Sequence, residues 1–313
     1  MKVIDQNVKP KYACYNADNV EFVKKLPDNS VHYTIFSPPF SSLYTYSNSD
    51  RDMGNCKDDN EFMEHFKFLA KELYRITMPG RLLSFHCMDL PKMKSRDGVI
   101  GLKDFPSILR QVFEDVGFIY HSKVTIWKNP VTEMQRTKAL GLLHKQIRKD
   151  STMCRQGIPD YVVTMRKPGD NPEMVSHTHE TFPVNVWQNY ASPVWMDINQ
   201  SDTLQRKSAR EEKDEKHICP LQLGVIQRCI DLWTNQNEIV FDPFAGIGSV
   251  PYVAIKMGRR GLGCELKSSY YEQMKKNLEI AVRECDYTDF EVVGQHTIYD
   301  VVDDDKVEEL ELL

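Results

Sequence analysis

Residues 238–249 read Glu238-Ile239-Val240-Phe241-Asp242-Pro243-Phe244-Ala245-Gly246-Ile247-Gly248-Ser249. Ile239, Val240 and Phe241 form a short apolar run that fits a fully buried strand over 238–241. Asp242-Pro243 ends it, Gly246 and Gly248 allow the chain to turn sharply without side-chain collision, and 249–257 has helical spacing. A second strand over 261–265 ends on Glu265, and a long helix follows over 268–285. A strand, glycine turn, helix and strand in this order place a ligand at the carboxyl end of a parallel sheet. No Gly-Lys-Ser/Thr follows the glycines, so the lysine of a nucleotide-phosphate loop is missing, and the spacing is not that of GxGxxG. Glu265 lies 17 residues beyond Gly248, where an acid can accept hydrogen bonds from ribose hydroxyls.

The same alternation runs through the first third of the chain. A strand is expected over 11–15 and a helix over 20–25. The β-branched and aromatic run Val31-His32-Tyr33-Thr34-Ile35-Phe36 forms a strand that stops at Ser37-Pro38-Pro39. Phe62, Phe66, Leu69, Leu73 and Ile76 recur every three or four residues, predicting a helix that starts near Asp58 and Asp59 and stops before Pro79-Gly80. A strand over 81–87, a helix over 105–116 and a strand over 118–127 complete the half, and a helix over 221–232 opens the last third. The expected fold is therefore α/β: a Rossmann-like, doubly wound, mostly parallel sheet with helices on both faces. Between 129 and 216 six prolines and a basic cluster break the rhythm. That stretch is read as an inserted region at one end of the sheet, dividing the domain into 1–128 and 217–300, with 301–313 as an acidic tail.

The 313 residues are 41% hydrophobic and 27% charged. No run approaches the ~18 apolar residues of a membrane span, and the start lacks a secretory signal. The eight cysteines are never closer than ten residues, which excludes a CxxC zinc or redox pair and fits reduced thiols in a cytoplasm. Ten acids against one base after residue 285 give that end a charge of −9, leaving +4 for the rest of the −5 chain. Nine bases against three acids over 128–168 give +6. A local patch of this kind can hold a phosphate backbone whatever the chain average. His177 and His179 have the spacing of strand ligands but no Cys or acid partners beside them, so no metal is expected.

At Ser37-Pro38-Pro39-Phe40 the two prolines fix φ and remove two donors, which leaves rigid carbonyls outside any ladder. Ser37 adds a hydroxyl acceptor and Phe40 a flat face. Acceptors beside an aromatic face suit a planar, amine-bearing base. Together, the 242–249 turn and the 37–40 tip resemble motifs I and IV of the S-adenosylmethionine-dependent DNA amino-methyltransferases, which methylate N6 of adenine or N4 of cytosine. Motif IV comes first, as in the permuted β group. The resemblance extends to Tyr15-Asn16-Ala17-Asp18, to Leu26–Val31, to Glu72–Ile76 with Pro79-Gly80, and to Lys216–Leu221, which stands at motif X. The segment 41–55 is similar to orphan methyltransferases of phages and prophages. His32 departs from the family's Asp, Arg81 from a Gly, Ser249 from Thr, and Phe40 from the commoner Tyr.

The resemblance implies S-adenosylmethionine as methyl donor, no metal, and double-stranded DNA as partner for a monomer or homodimer in a bacterial or phage-infected cytoplasm. It further implies that Asp242, Phe244, Gly246 and Gly248 flank the methionine part, that Glu265 binds the ribose, that Asp18 faces the adenine amine, and that His217 belongs to the cofactor site. Ser37, Pro38, Pro39 and Phe40 are then the catalytic tip, with Phe40 stacked on an extruded base. Lys138, Lys145, Arg148, Lys149 and Arg155, within the basic 128–167 stretch, are the DNA-contact candidates. The family's Ser-Pro-Pro form is more often cytosine-N4, so that base is placed slightly ahead of adenine-N6. A methyltransferase acting on RNA or on a protein glutamine would share both motifs, since its target is also a planar amine. A nicotinamide oxidoreductase would leave the Ser-Pro-Pro tip without a role, and a non-catalytic DNA-binding protein would need the basic insertion alone.

Overall fold

The computed structural model describes residues 3–39, 56, 59–92, 94–132, 157–204 and 221–285. Its strands are β1 Asp5–Lys9, β2 Tyr12–Asn16, β3 Val31–Phe36, β4 Thr77–Met88, β5 Leu90–Lys92, β6 Gly101–Lys103, β7 Ile119–Ile126, β8 Asp160–Arg166, β9 Val194–Trp195, β10 Ile239–Asp242 and β11 Arg260–Glu265. Nine of the described strands form one sheet in the order β1-β2-β11-β10-β3-β4-β8-β7-β9. The central block β2, β11, β10, β3 and β4 is parallel throughout, while β8 runs antiparallel to both β4 and β7. The short β5 and β6 pair separately as a hairpin.

Alternation along β10 explains why this is a three-layer structure. Ile239 and Phe241 enter one core with the helices Asp59–Ile76 and Phe105–Asp115. Val240 enters the opposite core with the helices Leu223–Trp233 and Ser249–Lys256. The helix Ser268–Glu284 packs Met274 and Leu278 beside Tyr12 and Cys14 of β2. Phe62, Phe66, Leu69, Leu73 and Ile76 are all buried, each side chain contributing about 1.5–3 kcal/mol. A strand buried on both faces needs an almost continuous apolar run, and β10 has one.

Two expectations change. The stretch 129–216 does not lie wholly outside the sheet, because Asp160–Arg166 forms β8 between β4 and β7. Val162, Val163 and Met165 are buried strand residues, but they sit next to Arg166 and Lys167, and the charge hid the strand signal. The helix before β4 ends at Ile76, yet Pro79-Gly80 does not separate it from the strand, which already begins at Thr77. No helix among the described residues is long and apolar enough to cross a membrane.

Candidate active site

The 37–39 tip leaves the end of β3 and the 243–248 turn leaves the end of β10. These strands are parallel neighbours, with Phe241 paired to Thr34, so the two loops emerge side by side at one edge of the sheet. The rings of Phe36 and Phe244 meet at 5.7 Å between centroids. From the start of the helix Asn19–Val23 that follows β2, Asn19 Nδ2 donates to the Pro243 carbonyl at 3.1 Å. From the end of β11, the Glu265 carbonyl accepts from Ala17 N at 3.1 Å. Asp18, Ser37, Asp242 and Glu265 therefore sit at the carboxyl ends of four strands that lie next to one another in the sheet.

The turn is held from several sides. Glu265 Oε2 accepts from Gly246 N and its Oε1 from Lys267 N, both at 2.8 Å. Asn277 Nδ2 donates to the Ile247 carbonyl at 2.8 Å. Gly246 and Gly248 have φ of 55° and 87°, a region costly for any residue with a Cβ. A Cβ on Gly248 would come within 2.7 Å of Met274 Cγ. Gly248→Ala should lose about 1–2 kcal/mol to backbone strain and about 1–3 kcal/mol to overpacking. Urea unfolding together with S-adenosylhomocysteine titration checks this; an unchanged midpoint and affinity would remove the turn from the site.

Asp242 is 5% exposed. Burial pushes its carboxyl up to about 8; the Glu265 charge adds to the shift, and the Phe244 N–H that Asp242 accepts at 2.9 Å opposes it. Asp18 caps the helix Asn19–Val23, its Oδ1 accepting from Glu21 N at 3.0 Å. A buried carboxyl, a pinned acid and two glycines on positive φ form a cradle whose donor and acceptor chemistry fits an amino-acid end and a ribose. The residues present thus fit S-adenosylmethionine.

On the other side of β3, Ser37 Oγ lies 2.8 Å from His86 Nδ1 and 3.3 Å from the His86 carbonyl. His86 Nε2 faces Asp160 Oδ2 at 3.2 Å, and Lys128 Nζ meets Asp160 Oδ1 at 2.5 Å. The motif reading missed this cluster. Its only trace in the sequence is that Ser84 and His86 alternate with the apolar Leu83, Phe85 and Cys87 along β4. Lys128 and Lys167 mark the ends of the basic stretch 128–167, but both turn inward. Lys167 Nζ donates to Asn29 Oδ1 at 2.8 Å and to the Thr77 carbonyl at 2.7 Å. Phe40, His217, Lys138, Lys145, Arg148, Lys149 and Arg155 lie outside the described residues, as does the segment 41–55. Trp195 is core, whereas Trp187 is exposed, and His177 stacks on Phe182 at 4.8 Å.

At the opposite edge of the sheet, His32, Glu173 and Glu238 bring ligand-type atoms together. These atoms are already engaged. His32 Nδ1 accepts from Ile239 N at 3.3 Å and its Nε2 faces Glu173 Oε2 at 3.3 Å. Glu238 takes Arg81 Nη2 and, at 2.9 Å, both nitrogens of Asn235. The cluster is a structural lock.

A family model described as DNA methylase matches residues 31–276, from the first residue of β3 into the last helix. The type II methyltransferase M.HpaI of Haemophilus parainfluenzae is 23% identical over 270 residues, covering 85% of this chain and 73% of its own. Among solved structures, TTHA0409 of Thermus thermophilus, assigned as a DNA modification methylase and solved with S-adenosyl-L-methionine, superposes with a TM-score of 0.64. It shares 20% identity, over 86% of this chain and 93% of its own. The cytosine-N4-specific PvuII DNA methyltransferase gives a TM-score of 0.59 at 17% identity, over 95% of each chain. The fold is thus that of a DNA methyltransferase, and the family match runs through both strand-end loops. On that match, the chain belongs to the DNA methylase family of N6/N4 amino-methyltransferases.

Proposed function

We propose that this enzyme transfers a methyl group to the exocyclic amine of a base extruded from duplex DNA, with N4 of cytosine placed ahead of N6 of adenine. The observation that carries the reading is the juxtaposition of the Ser37 tip and the Asp242 turn on neighbouring parallel strands, bridged by Phe36 and Phe244. S-adenosylmethionine, when bound, supplies a methyl group already activated by the sulfonium. Asp242 and residues 244–248 hold the amino-acid end, Glu265 the ribose, Asp18 the adenine side, and His217 completes the pocket. Ser37 Oγ and the Pro38 carbonyl accept the two amine hydrogens, directing the nitrogen lone pair towards the methyl carbon. Positioning supplies most of the rate. Phe40 stacks on the base and offsets about 1–3 kcal/mol of the cost of extrusion.

Residues 129–216 serve target recognition, with Lys138, Lys145, Arg148, Lys149 and Arg155 on phosphates. Only part of that stretch works this way, since β8 belongs to the sheet. The enzyme acts as an orphan or phage-type modification enzyme in the cytoplasm.

Nucleosides from plasmid DNA recovered after expression, separated by mass spectrometry, test the reading. N4-methylcytosine or N6-methyladenine above the empty-vector level is the expected result, and neither base appearing overturns it. Phe40→Ala should lower methylation about 10–100-fold while leaving S-adenosylhomocysteine affinity within twofold. Equal loss of both would deny Phe40 its stacking role.

A further inference from the structure

Four strands bring one polar chain to the wall behind Ser37. Ser37 follows β3, His86 lies on β4, Asp160 opens β8, and Lys128 stands two residues beyond β7. The ladder registers place them on one face: His86 pairs with Val162, two residues from Asp160, and Asp160 pairs with Ile126, two residues from Lys128. His86 and Asp160 are 7% and 4% exposed. Ionised groups buried this deeply persist only when paired.

The Asp160 carboxylate beside the ring favours the tautomer that carries its proton on Nε2 and turns the Nδ1 lone pair towards Ser37. The partner of that lone pair at 2.8 Å is Ser37 Oγ, whose O–H then donates to Nδ1, the shorter of its two contacts, rather than to the His86 carbonyl at 3.3 Å. In that arrangement the Oγ lone pairs face the amine. Although burial raises the Asp160 carboxyl, His86 and Lys128 outweigh it and hold the group below the usual carboxylate range. Nε2 meets no aligned hydrogen-bond acceptor among the described residues, so its 3.2 Å contact with Asp160 is an electrostatic one that imidazolium formation would tighten.

We propose that His86, braced by Asp160 and Lys128, is the positioning residue through which Ser37 passes on the proton the target amine must lose. This rests on the methyl-transfer reading above. The amine nitrogen forms a bond to the methyl carbon as the sulfur–carbon bond breaks, with sulfur keeping the electron pair. The nitrogen, now positive, releases one proton to Ser37 Oγ while the Ser37 hydroxyl proton moves to His86 Nδ1. The imidazolium is stabilised by Asp160 and returns its proton to solvent after product leaves.

Among the described residues, the groups facing the ring from neighbouring elements are Ser37 of the β3 tip, Asp160 of β8 and, through Asp160, Lys128 after β7. Asp89, Asp104 and Lys123 surround Cys87 and Tyr161 on the opposite face.

The test measures single-turnover methylation of plasmid DNA from pH 5.5 to 9 with wild type, His86→Asn and Asp160→Asn. Histidine ring 15N spectra of the ligand-free wild type are recorded alongside. Asn keeps an oxygen near Nδ1 but cannot take the proton. His86→Asn should lose about 100-fold or more in rate and lose the acidic limb of the profile, with DNA and S-adenosylhomocysteine affinities unchanged. Asp160→Asn should lower the plateau, because the imidazolium that forms loses its anion. The wild-type spectrum should show Nε2 protonated and Nδ1 bare. A His86→Asn enzyme with wild-type rate and limb overturns the proposal, and so does a protonated Nδ1, even if no variant folds. In both cases an active wild type leaves the methyl-transfer reading standing. A wild type that neither methylates DNA nor binds S-adenosylhomocysteine overturns both.

Discussion

Asp242→Asn should raise the melting temperature of the ligand-free protein by several degrees at pH 8, and by much less at pH 5. Burial lifts the folded Asp242 carboxyl from the ordinary 3.8 to about 8, so between those values the folded state holds a proton that the unfolded chain has released. Stability therefore falls as pH rises across that window, with a slope of up to about 1.4 kcal/mol per unit, and levels off above the folded value. Asparagine has nothing to ionise and escapes the loss. The same change should weaken S-adenosylhomocysteine binding by about 2–5 kcal/mol, since the amino-acid end loses its charged partner. Wild-type affinity should tighten as pH rises towards 8, because Asp242 must shed its proton to pair with an ammonium group. Calorimetry in buffers of different ionisation enthalpy would detect the released proton. An Asn variant that binds as well as wild type would move the amino-acid end elsewhere.

The second large effect is expected far from the chemistry. Arg81 of β4 and Glu238, the residue before β10, form an ion pair, with Arg81 2% and Glu238 4% exposed. Arg81 also donates to the His32 carbonyl at 3.1 Å and to the Glu173 carbonyl at 2.9 Å. Arg81→Leu leaves Glu238 buried without its counter-charge and should cost about 3–5 kcal/mol in urea unfolding. Adding Glu238→Gln should restore much of it. Below the new melting point, methylation should be unaffected, because the lock and the Ser37 tip lie at opposite ends of the strands. A loss under about 1 kcal/mol would show that water reaches Glu238.

Arg81 and His32 are two of the four positions where the sequence departs from its family's pattern, and in the structure they touch. Position by position they looked like unrelated replacements. The pairing was hidden because it depends on strand register, and Val31 and Tyr33 straddle a register shift in the β3–β4 ladder. By contrast, the ends of β3 and β10 were legible, because Pro38 and Pro243 stop a strand whatever surrounds them. Glu265 was legible for a similar reason, as an acid at the end of an apolar strand. β8 was obscured by the charges at its end, and His86 because its alternation with Ser84 says nothing of chemistry until its partners are known. The inward turn of Lys128 and Lys167 is likewise tertiary. Each long side chain reaches a buried acceptor supplied by another strand or turn, and no count of local charge contains that.

The pairing of β10 with β3 has a kinetic consequence. Val240 lies against Tyr33 across some two hundred residues of intervening chain, and Asn19 reaches Pro243 across 224. Closing loops of that length is entropically slow and gains nothing until the far strand arrives. A ribosome that has released the first half of this protein has produced only one wall of the pocket. The site is among the last things this chain can build, and a nascent chain passes through synthesis without a complete pocket.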